Sequence, residues 1–230
     1  MENVRSAQNG KIPIRGVIFD YGKVLCLPQP ASDVEALAAI AGVPAPRFRE
    51  LYWKHRVPYD RSDLSAETYW QAVAHEENKV FSPEQIRQLV SLDTESWAHP
   101  NLQTVNWAEQ LHNAGLRLGL LSNMPSDLAR YLTVQCDWLR FFDHLTFSCD
   151  VRLVKPDAAI YRACLEPLHL APQEVLFLDD LKHNVEGATK VGIHGQLFDT
   201  LEETSARLEQ RFDLPLPGFP EGRNRVSMAR

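Results

Sequence analysis

No apolar run in this chain of 230 residues approaches the roughly 20 needed to cross a bilayer, which excludes a membrane-spanning helix. Basic residues are in the minority: 24 Lys and Arg stand against 30 Asp and Glu, a net charge of -6. That balance lacks the electrostatic footprint of a nucleic-acid binder or of a protein held on anionic membrane, so neither partner is expected. Cysteine is scarce. Cys26, Cys136, Cys149 and Cys164 are scattered with no C-x-x-C pair, which argues against a zinc site or a disulfide framework. They read as small reduced core residues. Residues 1–11 are polar and have no signal-like apolar stretch, so a cytoplasmic location is expected. Internal repeats and low-complexity tracts are also missing. What remains is a chain with 44% hydrophobic residues, long enough to bury one large core with an insertion.

Four short continuous apolar runs read as buried parallel strands: Ile14–Asp20, Arg117–Ser122, Val175–Asp179 and Ile193–Phe198, with His144–Ser148 a weaker fifth. Helical patterns fall between them, at Asn101–Ala114, Pro156–Leu168 and Leu181–Val191. This alternation predicts an α/β fold with a Rossmann-like, doubly wound parallel sheet. Between Leu27 and Pro100 the strand-like runs vanish and amphipathic helices replace them, at Ser32–Ala41, Ala45–Arg56, Ser65–Glu77 and Ser82–Ser96. Ser65 and Ser82 are each followed by an early glutamate, as at helix starts. The expected organisation is a core from 11–26 and 101–213, an inserted all-α cap over 27–100 and a flexible tail over 214–230. Trp53, Trp70 and Trp97 fit helical apolar faces and read as packing residues rather than a substrate cage.

In doubly wound sheets chemistry gathers beyond the carboxyl ends of the strands. The first strand ends on Asp20, the second on Ser122 and Asn123, and the fourth on Asp179 and Asp180, with Asn184 a turn later; Lys155 opens the helix between them. Each alone is an ordinary turn or cap residue, but three strand ends and one helix start carrying these groups in order point to one site. Asp20 and Asp180 offer the hard oxygens that suit Mg²⁺. Asp20 can attack phosphorus and form an aspartyl-phosphate that water opens. Ser122 and Asn123 can donate to phosphoryl oxygens, and Lys155 can neutralise charge there and keep Asp20 ionised.

The motifs Phe19-Asp-Tyr-Gly-Lys-Val-Leu25, Leu121-Ser-Asn123, Lys155-Pro-Asp157 and Phe177-Leu-Asp-Asp180, followed by Asn184-x-x-Gly187-Ala188, resemble those of the haloacid dehalogenase-like hydrolases. The stretch Tyr59–Tyr69 and Lys-Pro-Asp-x-x-Ile-Tyr look like the branch with bacterial glucose-1-phosphate phosphatases and the amino-terminal domain of soluble epoxide hydrolase. The resemblance implies Asp20 as nucleophile, with Ser122, Asn123, Lys155 and Asp179 as its catalytic partners. It also implies Mg²⁺ held by Asp20, Asp180 and the backbone carbonyl of Gly22, beneath a mobile helical cap. The expected partner is a small phosphorylated metabolite, a sugar phosphate among the candidates. One position departs from the pattern: Gly22 stands where most phosphatases of the family carry a second aspartate, the acid that protonates the leaving group. Asp179, His55 or Asp60 are the alternatives for that proton, although His55 and Asp60, like Arg61, also read as surface residues of the cap. Three functions stay open: a phosphomonoesterase biased towards good leaving groups, a metal-independent 2-haloacid dehalogenase, and a non-catalytic domain binding a phosphometabolite or a protein. Oligomeric state is not specified by any of these features.

Overall fold

The computed structural model describes residues 10–218. The strands are β1 (Ile12–Pro13), β2 (Gly16–Phe19), β3 (Arg117–Ser122), β4 (His144–Phe147), β5 (Val175–Asp179), β6 (His194–Leu197) and β7 (Phe212–Asp213). Five of them form one sheet in the order β4-β3-β2-β5-β6, every pair parallel, while β1 and β7 make a short parallel pair of their own. The α/β reading therefore holds. The chain runs outward from β2 through β3 to β4 and then returns to place β5 on the other side of β2. This reversal opens a crevice beyond the carboxyl ends of β2, β3 and β5.

Successive strand residues face opposite sides, so β2 sends Val17 and Phe19 into one core and Ile18 into the other. The first core is covered by α6 (Leu102–Asn113), α7 (Ser126–Gln135) and α11 (Leu201–Arg211), the second mainly by α9 (Ala158–Leu168) and α10 (Lys182–Lys190). Helices α7 and α11 were not expected from the sequence pattern. α7 starts just after Pro125, and α11 is capped by Thr200, whose hydroxyl accepts from the Glu203 amide at 3.2 Å. A four-residue turn of helix, α8 (Ser148–Val151), follows β4.

Between Leu27 and Pro100 the chain forms α1 (Ala31–Ala41), α2 (Ala45–Lys54), α3 (Arg56–Asp60), α4 (Ala66–His75) and α5 (Pro83–Ser96), with a separate apolar core around Leu37, Phe48, Leu51, Trp70 and Leu89. The single helix expected over Ala45–Arg56 is broken at His55 (φ −108°, ψ 8°). Pro58 accounts for the break, since it has no N–H for the Lys54 carbonyl and its ring crowds that position. The chain enters and leaves this segment side by side: the Leu27 amide donates to His99 O (2.8 Å) and the Asn101 amide to Leu25 O (2.9 Å). Of the expected tail, Leu214 and Leu216 pack on the sheet core and Trp107 Nε1 donates to Pro215 O at 3.0 Å. Residues 219–230 lie outside the described residues. No described helix is long and apolar enough to cross a membrane.

Candidate active site

Asp20 follows directly on β2, where its amide still bonds to Leu178 O (2.8 Å) and so fixes its place at the sheet edge. Its Oδ1 accepts from the Tyr21 amide at 2.7 Å and from Lys155 Nζ at 2.7 Å. The same ammonium reaches Asp179 Oδ2 at 2.6 Å and Leu121 O at 3.1 Å, spending its three donors. Asp179 has no exposure at all, and its two oxygens also take the Leu181 backbone amide (2.8 Å) and Asn184 Nδ2 (3.0 and 3.1 Å). Asp179 is thus a fully bonded anchor for Lys155, with no oxygen left to hand a proton to a leaving group.

Burial pushes the Asp20 carboxyl up to about 7 against the pull of Lys155, and the neighbouring Asp179 and Asp180 add to the rise. Burial alone would lower the Lys155 ammonium, but the Asp179 and Asp20 carboxylates outweigh it and hold the lysine above its ordinary value. A nucleophile at Asp20 needs more positive charge than Lys155 supplies, because that lysine is shared between two carboxylates.

Asn123 serves Lys155 from the other side. Its Oδ1 accepts the Lys155 amide (2.9 Å) and its Nδ2 donates to the Lys155 carbonyl (3.1 Å), clamping the lysine backbone. Ser122 lies beside it on the crevice, with no hydrogen bond from its hydroxyl to a described residue. Gly187 closes the arrangement, since a Cβ there would meet Pro156 O and Tyr161 Oη at 2.8 Å, forcing α10 away from the Lys155 loop. Only glycine permits that approach.

The oxygens that could hold a cation are those left over. Asp20, Asp179 and Asp180 each present a carboxylate oxygen within 4.8 Å of the others. Asp179 is committed as described and Asp180 Oδ2 accepts from Lys23 at 3.0 Å, which leaves the Asp20 carboxylate and the other Asp180 oxygen. Asn184 Oδ1 is buried and unpaired among the described residues, a hard oxygen that a cation or its water can satisfy. This donor set fits Mg²⁺, which takes few protein oxygens and keeps several waters.

Gly22 also borders the crevice, at ordinary backbone angles (φ −61°, ψ 122°). A Cβ there would sit 3.9 Å from Asp20 Oδ2 and 4.0 Å from Trp97, ordinary contact distances. Glycine at this position is therefore not demanded by space or by backbone. Of the remaining expectations, Asp60 lines the crevice, whereas His55 turns to Glu76 (3.1 Å) and Arg61 to Asp63 (2.7 Å). Sequence reasoning passed over Lys23 and Arg56 and read Trp53 as a packing residue, yet all three face the crevice. Trp53, Arg56, Val57 and Asp60 recur at i, i+3, i+4 and i+7, a signal that was present but reads equally well as a core stripe.

Residues 14–192 match the family model described as haloacid dehalogenase-like hydrolase, so the chain belongs to that family of hydrolases. Among curated relatives, 83 residues are 40% identical to mouse acyl-CoA dehydrogenase family member 10, a match covering 36% of this chain and 8% of that much longer protein. Phosphatase MT3486 of Mycobacterium tuberculosis is 25% identical over 195 residues, 83% of this chain and 90% of the relative. A haloacid dehalogenase-family enzyme of Bacteroides thetaiotaomicron, solved with magnesium and inorganic phosphate, shares the fold. Its TM-score is 0.65 at 17% identity, over 80% of this chain and 93% of that one.

Proposed function

We propose that this hydrolase is a Mg²⁺-dependent phosphomonoesterase with Asp20 as its nucleophile and the helices Ala31–Ser96 as a cap over the crevice. The observation that carries the reading is the position of Lys155, held 2.7 Å from Asp20 and 2.6 Å from Asp179 while Asp180, paired only with Lys23, offers an oxygen within 4.8 Å of theirs. The similarity to a full-length mycobacterial phosphatase supports the same reading.

One oxygen of the Asp20 carboxylate forms the new bond to phosphorus, and the ester P–O bond breaks with its electrons leaving on the alcohol oxygen. Lys155 keeps the other Asp20 oxygen charged and orients the carboxylate. Ser122 and the second Asn123 N–H donate to the phosphoryl oxygens. Water then attacks the aspartyl-phosphate, releasing phosphate and restoring the Asp20 carboxylate. Bound through Asp20, Asp180 and the Gly22 carbonyl, Mg²⁺ supplies the charge that offsets repulsion between carboxylate and phosphate. Gly22 offers no acid, so esters with good leaving groups are favoured; acid catalysis is typically worth about 10²–10⁴-fold.

The test is hydrolysis of a panel of phosphomonoesters with and without Mg²⁺, beside Asp20→Asn. Activity that needs Mg²⁺ and vanishes in the variant is expected, whereas activity surviving in Asp20→Asn overturns the assignment. Gly22 favours one second reading, a 2-haloacid dehalogenase in which Asp20 attacks carbon; release of halide from 2-chloropropionate without Mg²⁺ would establish it instead.

A further inference from the structure

We propose that the crevice selects a phosphomonoester whose leaving group is flat and apolar, with Trp53 as the platform on which it lies. The proposal rests on the phosphatase reading for the charged end of the site and concerns the opposite wall.

The cavity above Asp20 is about 520 Å³, far larger than a phosphate needs. Its charged end holds Asp20, Lys155 and Asp180. The wall contributed by the helical segment is different. Trp53 closes α2 with 53% of its surface open, although its edges are fixed against Tyr52 (5.0 Å, 88°) and Trp97 (6.4 Å, 77°). Val57 beside it is also 53% exposed, and Leu181 across the crevice 42%. Three of the nine large apolar residues exposed among the described residues thus share this one cavity. Apolar side chains singly exposed on a surface are ordinary, but several gathered in a concave site mark a binding surface. Met124 and Leu128 extend the same lining from the core.

The wall is poorly suited to the other common leaving groups. Arg56, its one guanidinium, is held by acids: Nε donates to Asp60 (2.7 Å) and Nη1 to Asp93 (3.0 Å) and to the Tyr52 hydroxyl. A second phosphate or a carboxylate on the substrate would find that charge already neutralised. Sugar hydroxyls facing Val57, Met124 and Leu128 would lose water without gaining partners. An aromatic ring, by contrast, gains area against Trp53 in an offset or edge arrangement. The molecule that matches both ends carries one phosphate and an apolar ring.

The experiment compares 2-phenylethyl phosphate with glucose 6-phosphate, both esters of primary alcohols, so that ease of departure is matched. Dissociation constants are measured by calorimetry in Asp20→Asn protein with Mg²⁺, and kcat/KM in the wild type. The aromatic ester is expected to bind about tenfold or more tightly. Trp53→Ala, made in each background, should erase that preference through Kd and KM with kcat little changed, and Trp53→Phe should restore most of it. Equal or better binding of glucose 6-phosphate overturns the proposal. So does an equal loss for both esters in Trp53→Ala, which would mark a structural role. If the wild type hydrolyses no ester at all, the phosphatase reading fails, while the ratio of dissociation constants still decides this one.

Discussion

Lys23 Nζ lies 3.0 Å from Asp180 Oδ2, joining the turn after the first sheet strand to the turn after the fourth motif strand across 157 residues of sequence. Lys23 adopts φ +56°, a left-handed conformation that favours glycine or asparagine and is costly for a long side chain. Its ammonium therefore stands on the carboxylate proposed to take the cation, and the two compete. Replacing Lys23 by Gln should tighten Mg²⁺ or Mn²⁺ binding about three- to tenfold, the modest effect of one half-exposed charge near a binding site. Paramagnetic titration with Mn²⁺ reads this directly. Unchanged or weaker binding would mean that Lys23 leaves Asp180 without contest.

Gly22 has room for a side chain, which makes the missing acid restorable. Gly22→Asp should raise kcat/KM for alkyl phosphates by about tenfold or more and flatten the dependence of rate on leaving-group pKa, within the usual range for acid catalysis. The slope of log kcat/KM across a series of aryl and alkyl esters is the measurement. A slope as steep as in the wild type would show that the new carboxyl does not reach the leaving oxygen.

Removing Lys155 leaves Asp20 and Asp179 buried without their counter-ion. Lys155→Met should lose activity and also about 3–5 kcal/mol of stability, the usual cost of breaking a buried pair from one side. Urea unfolding of the metal-free protein, with the m-value compared, measures it. Asn123→Ala should give a smaller version of both effects, because it frees the lysine backbone but keeps the charge.

Asp60 provides a pH signature away from the metal-binding carboxylates. Burial raises its carboxyl to about 6, with the Asp93 charge adding to the rise, against the pull of Arg56. The folded state then holds the proton more tightly than the unfolded chain, whose aspartates titrate near 3.9. Asp60 stabilises the fold fully below about pH 4 and loses that contribution as pH rises through about 6. Compared with Asp60→Asn, the wild type should lose up to about 3 kcal/mol of relative stability between these limits. A flat difference across that range would place the Asp60 carboxyl at its ordinary value.

Much of the crevice edge was legible in the linear sequence. Short continuous apolar runs alternating with helical patterns read as buried parallel strands, and a strand that ends on Asp, Ser-Asn or Asp-Asp delivers those groups to one edge of the sheet. The family match over residues 14–192 agrees with the family that the motifs resemble. The helices of the insertion were equally visible, because a 3.6-residue apolar period survives whatever it packs against.

Other features depended on how distant segments met. Periodicity grouped Trp53 with Trp70 and Trp97 as packing residues, and Trp70 is indeed fully buried, but the break before Pro58 leaves Trp53 half open on the crevice. Asn123 looked like a ligand for phosphate and proves first to be a clamp on the Lys155 backbone, 32 residues away. Asp179 looked like a spare acid and is saturated by Lys155, Asn184 and Leu181. The residues and their order set which groups reach the crevice. Hydrogen-bond partners and exposure, which depend on long-range packing and not on local pattern, decided which of those groups remain free to act.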